Sequence, residues 1–194
     1  MLHRGAFLAG AIFVVLGLAG LAAAVAYGGF YDVAGDSPHT GPVYNFLQKV
    51  RMTSIAANAR SVTVPADLAG SKRIADGGAE YGEMCAQCHL GPDVEKTEIA
   101  SGLYPAAPTL ARDRTLTPAE QFWVIKHGIK FTAMPAWGKT HSDDLLWNIV
   151  AFVQALPNLS EGQYKSLTAE REGAHDQLMQ GMDTHNDESG DHHH

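Results

Sequence analysis

Cysteine is nearly missing from this chain, and over one long stretch charge is missing altogether. Cys85 and Cys88 are the only cysteines in 194 residues. From Gly5 to Tyr31 there is no charged residue at all. Within that gap the 22 residues Ala6–Tyr27 are almost purely apolar. As a helix they would reach about 33 Å, enough to cross a hydrocarbon core of about 30 Å. The run exceeds the apolar region of a cleaved signal peptide, which favours a retained anchor, although Ala24-Val25-Ala26 offers a small-residue cleavage site. Any excess of basic charge is lacking too. The net charge of −7 gathers at the C-terminal end, where residues 161–194 carry −6, against +1 for residues 1–68 and −2 for residues 69–160. That distribution argues against nucleic acid as a partner.

Charge also orients the apolar run. Arg4 precedes it and Asp32 and Asp36 follow. Basic flanks stay cytoplasmic, so the N-terminus is expected inside and the rest of the chain outside.

Four segments follow from composition. Residues 1–28 are the anchor, or an uncleaved signal. Residues 29–68 form a linker and a juxtamembrane amphipathic helix, in which Val43, Phe46, Leu47, Val50 and Ile55 recur at helical spacing opposite Lys49, Arg51 and Arg60. This helix either packs on the domain or rests on a membrane surface. Residues 69–160 hold the folded domain. Ser71 is a candidate cap for a helix running through the cysteine pair. Thr117, Pro118 and Glu120 form a capping box with proline at the first helical position. Gly128 is the expected stop. Ser142, followed by Asp143 and Asp144, opens a last strong helix that ends before Pro157. Leu90 to about Leu116 shows no alternating strand pattern and is expected to be irregular. The fold class is all-α, with loops long for its core, and a large apolar cofactor would supply the missing interior.

The two cysteines lie in "CAQCH", Cys85 to His89. A zinc site needs four ligands, and no second pair exists. A thioredoxin-like dithiol needs a preceding strand, and no Val/Ile-rich run precedes Tyr81. C-x-x-C-H matches covalent attachment of haem c, with both thiols bonded to the vinyl groups and His89 ligating iron. An exported chain whose cysteines both become thioethers keeps no thiol to oxidise.

With "YPAAP", "MPAWG" and the closing helix "LLWNIVAF", this motif makes residues 69–160 resemble a class I c-type cytochrome. The resemblance covers about half the chain. It implies the cytochrome c fold, here with an N-terminal transmembrane helix, around one covalent haem c. A thioether in the open axial position favours electron transfer. Met84 lies five residues before His89 on the same helix and cannot reach the opposite haem face. Met52 precedes the domain, and Met179 and Met182 lie in the tail. Met134 remains, stiffened by Pro135, and the family places its sixth ligand there. The resemblance also implies that Pro108, or its rival Pro105, accepts a hydrogen bond from His89. Tyr104, Trp123 and Trp137 could pack on the macrocycle or serve the core. Gly77 or Gly78, with Tyr81, resembles the place where the first and last helices cross, Trp147 and Phe152 facing it. His127 reads as a helix C-terminal histidine, with iron or propionate contact as the alternative.

The functional expectation is a one-electron carrier rather than an enzyme, tethered to a bacterial inner membrane with its haem domain on the periplasmic side. It would shuttle electrons between membrane-associated redox partners, with Lys126, Lys130 and Lys139 as a basic docking rim. Alternatives are a haem-bearing subunit of a membrane oxidoreductase, a small peroxidase-like protein, or a copper-handling redox module. The last rests on residues 161–194, an acidic tail expected to be disordered or loosely helical. It carries His175, Met179, Met182, His185 and His192–His194, and imidazoles and thioethers suit copper.

Overall fold

The structure is a computed structural model that describes residues 2–113 and 115–169, the side chains of residues 2–4 excepted. The chain forms two compact units, Met1–Pro38 and His39–His194. In the first, helix α1 (Leu2–Tyr27) contains a 23-residue span, Gly5–Tyr27, long and apolar enough to cross a membrane. The side chains of residues 5–27 are exposed, Phe13 by 78%. A helix apolar on every face and unburied by its own protein is stable where lipid replaces water.

The second unit is all-helical among the described residues: α2 (Gly41–Asn58), α3 (Ser71–Met84), α4 (Ala86–His89), α5 (Glu98–Gly102), α6 (Pro118–His127), α7 (Asp143–Ala155) and α8 (Glu161–Thr168). Its core lies between α3, α6 and α7, where Tyr81, Leu146, Val150, Phe152 and Leu156 are fully buried. The crossing of α3 and α7 depends on Gly77, since a Cβ there would lie 1.8 Å from the Asn148 carbonyl oxygen. Gly78 faces α8 instead, against Leu167. Of the two glycines open in the sequence, Gly77 makes the crossing. Phe152 faces it as expected, packing on Tyr81 at 5.0 Å. Trp147 turns the other way and stacks on Phe122 of α6 at 4.2 Å and 9°. Arg73 joins the N-terminal ends of the crossing pair, with ion pairs of 2.8 Å to both Asp67 and Asp144 and a hydrogen bond to Asn148.

Local signals explain most boundaries. Thr117 and Glu120 form the reciprocal capping box at α6, Pro118 opens the helix, and Gly128 ends it at φ +65°. Ser142 caps α7 by accepting from the Leu145 N–H. Three elements differ from the sequence expectation. Gly70, not Ser71, sits at the N-cap of α3, and that helix breaks at Cys85 before the separate turn α4. A short α5 interrupts the segment expected to be irregular, capped by Thr97, which accepts from Ala100. The folded unit also runs past residue 160. Ser160 and Gln163 form a second capping box, and α8 buries Tyr164 against Tyr81 and Phe152.

Candidate functional site

Cys85 ends α3, and the following turn carries Cys88 and His89. Cys85 is buried and Cys88 half-buried. Burial foremost, with Glu80 and Cys88 nearby, pushes the Cys85 thiol up to about 12. A sulfur so placed makes a poor thiolate, which disfavours redox exchange or metal capture by Cys85. Converted to a thioether it would have no proton to lose, so its burial would carry no charge penalty.

The chain leaves His89 through a constrained step. Leu90 has φ +59°, unusual for a branched residue. Its carbonyl accepts a 2.6 Å hydrogen bond from the Tyr81 hydroxyl, itself fully buried on α3. Burial raises the Tyr81 phenol well above its ordinary value, which keeps it protonated as a donor. One side chain thus ties the exit of the motif to the helix that enters it.

His89 Nδ1 lies 2.9 Å from the Pro108 carbonyl oxygen. A carbonyl only accepts, so the proton belongs on Nδ1 and the Nε2 lone pair is free to bind a metal. Burial lowers the pKa of His89, partly offset by this bond, and favours the neutral imidazole that ligation requires. Of the two prolines left open by the sequence, Pro108 meets His89.

Met134 lies on the loop between α6 and α7, half-buried against the core. Its carbonyl accepts from the Ile129 N–H at 3.2 Å, and its own N–H donates to Thr132 Oγ1 at 3.2 Å. Gly128 lets the loop close this tightly, because a Cβ there would lie 2.7 Å from both the Met134 oxygen and the Pro135 carbonyl carbon. The loop is therefore held by its own backbone and the Thr132 hydroxyl, and the thioether need not organise it.

The donor types present are those a covalently held haem takes: two cysteines and an imidazole on one turn, its Nδ1 turned to Pro108, and, on a separate pre-formed loop, the Met134 thioether. The other expected surroundings all have protein partners. Tyr104 accepts from the His39 N–H at 2.9 Å, with the His39 ring edge-on to its own. Trp123 tilts against His127, and Trp137 meets His141 edge-on. His127 is exposed in the last turn of α6, the place expected for a helix C-terminal histidine. Lys126 is not a free member of the basic rim. It pairs with Asp143 at 2.7 Å and lies over the Phe122 ring, whereas Lys130 and Lys139 are exposed. The tail residues His175, Met179, Met182, His185 and His192–His194 lie outside the described residues.

Sequence reasoning missed Tyr164. Its ring covers Gly91, two residues after His89, so closely that a Cβ on Gly91 would lie 2.3 Å from it. The available signal was the Ser160–Gln163 capping box, which marks a helix start inside an otherwise polar segment.

Residues 72–153 match the family model described as cytochrome C oxidase, cbb3-type, subunit III. No curated protein and no solved structure matches the chain. The matched segment runs from the start of α3 almost to the end of α7 and contains Cys85, Cys88, His89, Pro108 and Met134.

Proposed function

We propose, since residues 72–153 match a family model of cytochrome c oxidase subunit III and resemble a class I c-type cytochrome, that the chain is a membrane-tethered one-electron carrier with a single haem c. Cys85 and Cys88 would hold the haem as thioethers, and His89 Nε2 and Met134 Sδ would ligate its iron. The group, when bound, supplies reversible one-electron chemistry at iron, and a thioether ligand biases it toward the reduced state. The chain's own residues do the rest. Pro108 fixes the orientation and basicity of the imidazole. Tyr81 holds the backbone behind the motif. The closed loop from Gly128 to Pro135 keeps the thioether in place, so that little rearrangement accompanies electron transfer. Exposed Lys130 and Lys139 would meet an acidic partner and steer its approach.

The observation that carries this reading is the Nδ1-to-carbonyl bond of His89 beside the two cysteines. The test is the optical spectrum of the full chain matured in cells able to attach haem c. A low-spin ferric spectrum with the weak long-wavelength methionine–iron band is expected, and Met134→Ala should abolish that band. A high-spin wild-type spectrum would sink the carrier reading in favour of ligand-binding or peroxide chemistry.

A second reading is favoured by the description of the matched family: the chain acts as the haem-bearing subunit of a membrane-bound terminal oxidase. Co-purification from mildly solubilised membranes decides between the two. A stoichiometric oxidase complex supports the subunit, and a chain that migrates alone supports the mobile carrier. A copper role for the tail is the least supported, and a copper titration of residues 161–194 that shows no binding removes it.

A further inference from the structure

Helix α2 has two apolar faces, and the domain covers only one of them. Gln48, Met52 and Ile55, with Ala59 in the turn that follows α2, share the side that packs toward α6, where Ile55 and Ala59 are 3% and 5% exposed. Val43, Phe46, Leu47 and Val50 occupy i, i+3, i+4 and i+7 positions, a stripe on nearly the opposite side. These four are 46%, 67%, 42% and 51% exposed. A stripe of large apolar side chains turned away from the protein that carries it marks an interaction surface.

Two observations identify the occupant. The covalent connection is short: residues 28–40 join α2 to a helix able to span a bilayer, and thirteen extended residues cover at most about 45 Å. The charge is of one sign: between Ser37 and Ala66 there is no acidic residue, while Lys49, Arg51 and Arg60 are basic. An amphipathic helix with basic flanks, held beside a membrane, suits an anionic headgroup layer. We propose that α2 lies in the interface of an anionic phospholipid bilayer through Val43, Phe46, Leu47 and Val50, while Ile55 and Ala59 hold its other side to the haem domain. The domain is then presented in one orientation instead of tumbling on its tether. This rests on α1 being an inserted anchor.

The test uses the full haem-loaded chain in proteoliposomes of phosphatidylglycerol and phosphatidylcholine. A spin label is attached to Phe46→Cys and, as a solvent reference, to Lys96→Cys. Unmodified protein should take up no label, because both native cysteines are thioethers; labelling there would overturn the haem reading independently of this one. Resistance of the proteoliposomes to carbonate extraction reports insertion of α1, and its failure overturns the tether and this inference together. With insertion shown, collisions with oxygen should be favoured over those with a water-soluble nickel chelate several-fold more at position 46 than at position 96. Lys49→Glu with Arg51→Glu should reduce that ratio. Equal accessibility at both positions overturns the proposal. So does shielding of position 46 that appears only when other membrane proteins are added, which would assign the stripe to a protein partner.

Discussion

At the scale of single residues, the site depends on a few backbone acceptors with side chains aimed at them. The Tyr81 hydroxyl is the clearest case, since it reaches a strained residue directly after His89. Tyr81→Phe keeps the ring packed on Phe152 and removes only the hydroxyl, leaving the Leu90 carbonyl without that donor. A loss of about 1–2 kcal/mol is expected, readable in denaturant unfolding of the haem-loaded protein. An unchanged midpoint would mean that Leu90 holds its conformation without help. Gly128 is the other sensitive residue, because its positive φ and the carbonyls above it both reject a side chain. Gly128→Ala should shift the Met134 loop and, on the proposed ligation, weaken the methionine–iron band while leaving haem attachment through Cys85 and Cys88 intact. A band of normal strength would show that the loop tolerates the Cβ.

At the scale of elements, helix contact explains why the domain forms around this motif. Gly77 lets α3 and α7 approach until backbone meets backbone, and the Cβ of Gly77→Ala would overlap the Asn148 carbonyl. Overpacking of this kind costs about 3 kcal/mol and can exceed that, so a large fall in the unfolding midpoint is expected. If calorimetry showed no change, the crossing would have to be looser than described. Helix α8 is the other consequential element. Tyr164→Ala empties a buried space between Tyr81, Phe152 and Gly91, with an expected cost of about 3 kcal/mol by analogy with other buried aromatics. Partial loss of protection at residues 89–91 in hydrogen exchange would accompany it, whereas a purely local effect would leave those amides unchanged.

At the scale of the whole molecule, the two units divide the labour. The first supplies a helix able to span a membrane, and the second contains the core and every residue of the candidate site. A chain starting at His39 should therefore mature with the same reduced haem spectrum as the full chain. Spectrophotometry after expression checks this, and failure to incorporate haem would show that the anchor is needed for maturation. On the proposed function, confinement by an inserted α1 would raise the effective concentration of the haem domain near membrane-bound partners. Removing the anchor should accordingly slow electron delivery to membrane acceptors far more than delivery to a soluble chemical oxidant.

The sequence by itself determined whatever rests on local chemistry. The cysteine and histidine spacing, the capping box at Thr117, the stop at Gly128 and the apolar run at the N-terminus each depend on residues close together along the chain. Tertiary structure decided the choices between near equals. Pro108 rather than Pro105 meets His89, and Gly77 rather than Gly78 makes the crossing, because each depends on a surface more than ten residues away. It turned Trp147 toward Phe122 and tied Lys126 to Asp143. It also added α8 to a domain whose polar sequence there hid one buried tyrosine, and left half of α2 bare. Periodicity reports that a helix has an apolar side. Only the fold shows whether the protein itself covers that side.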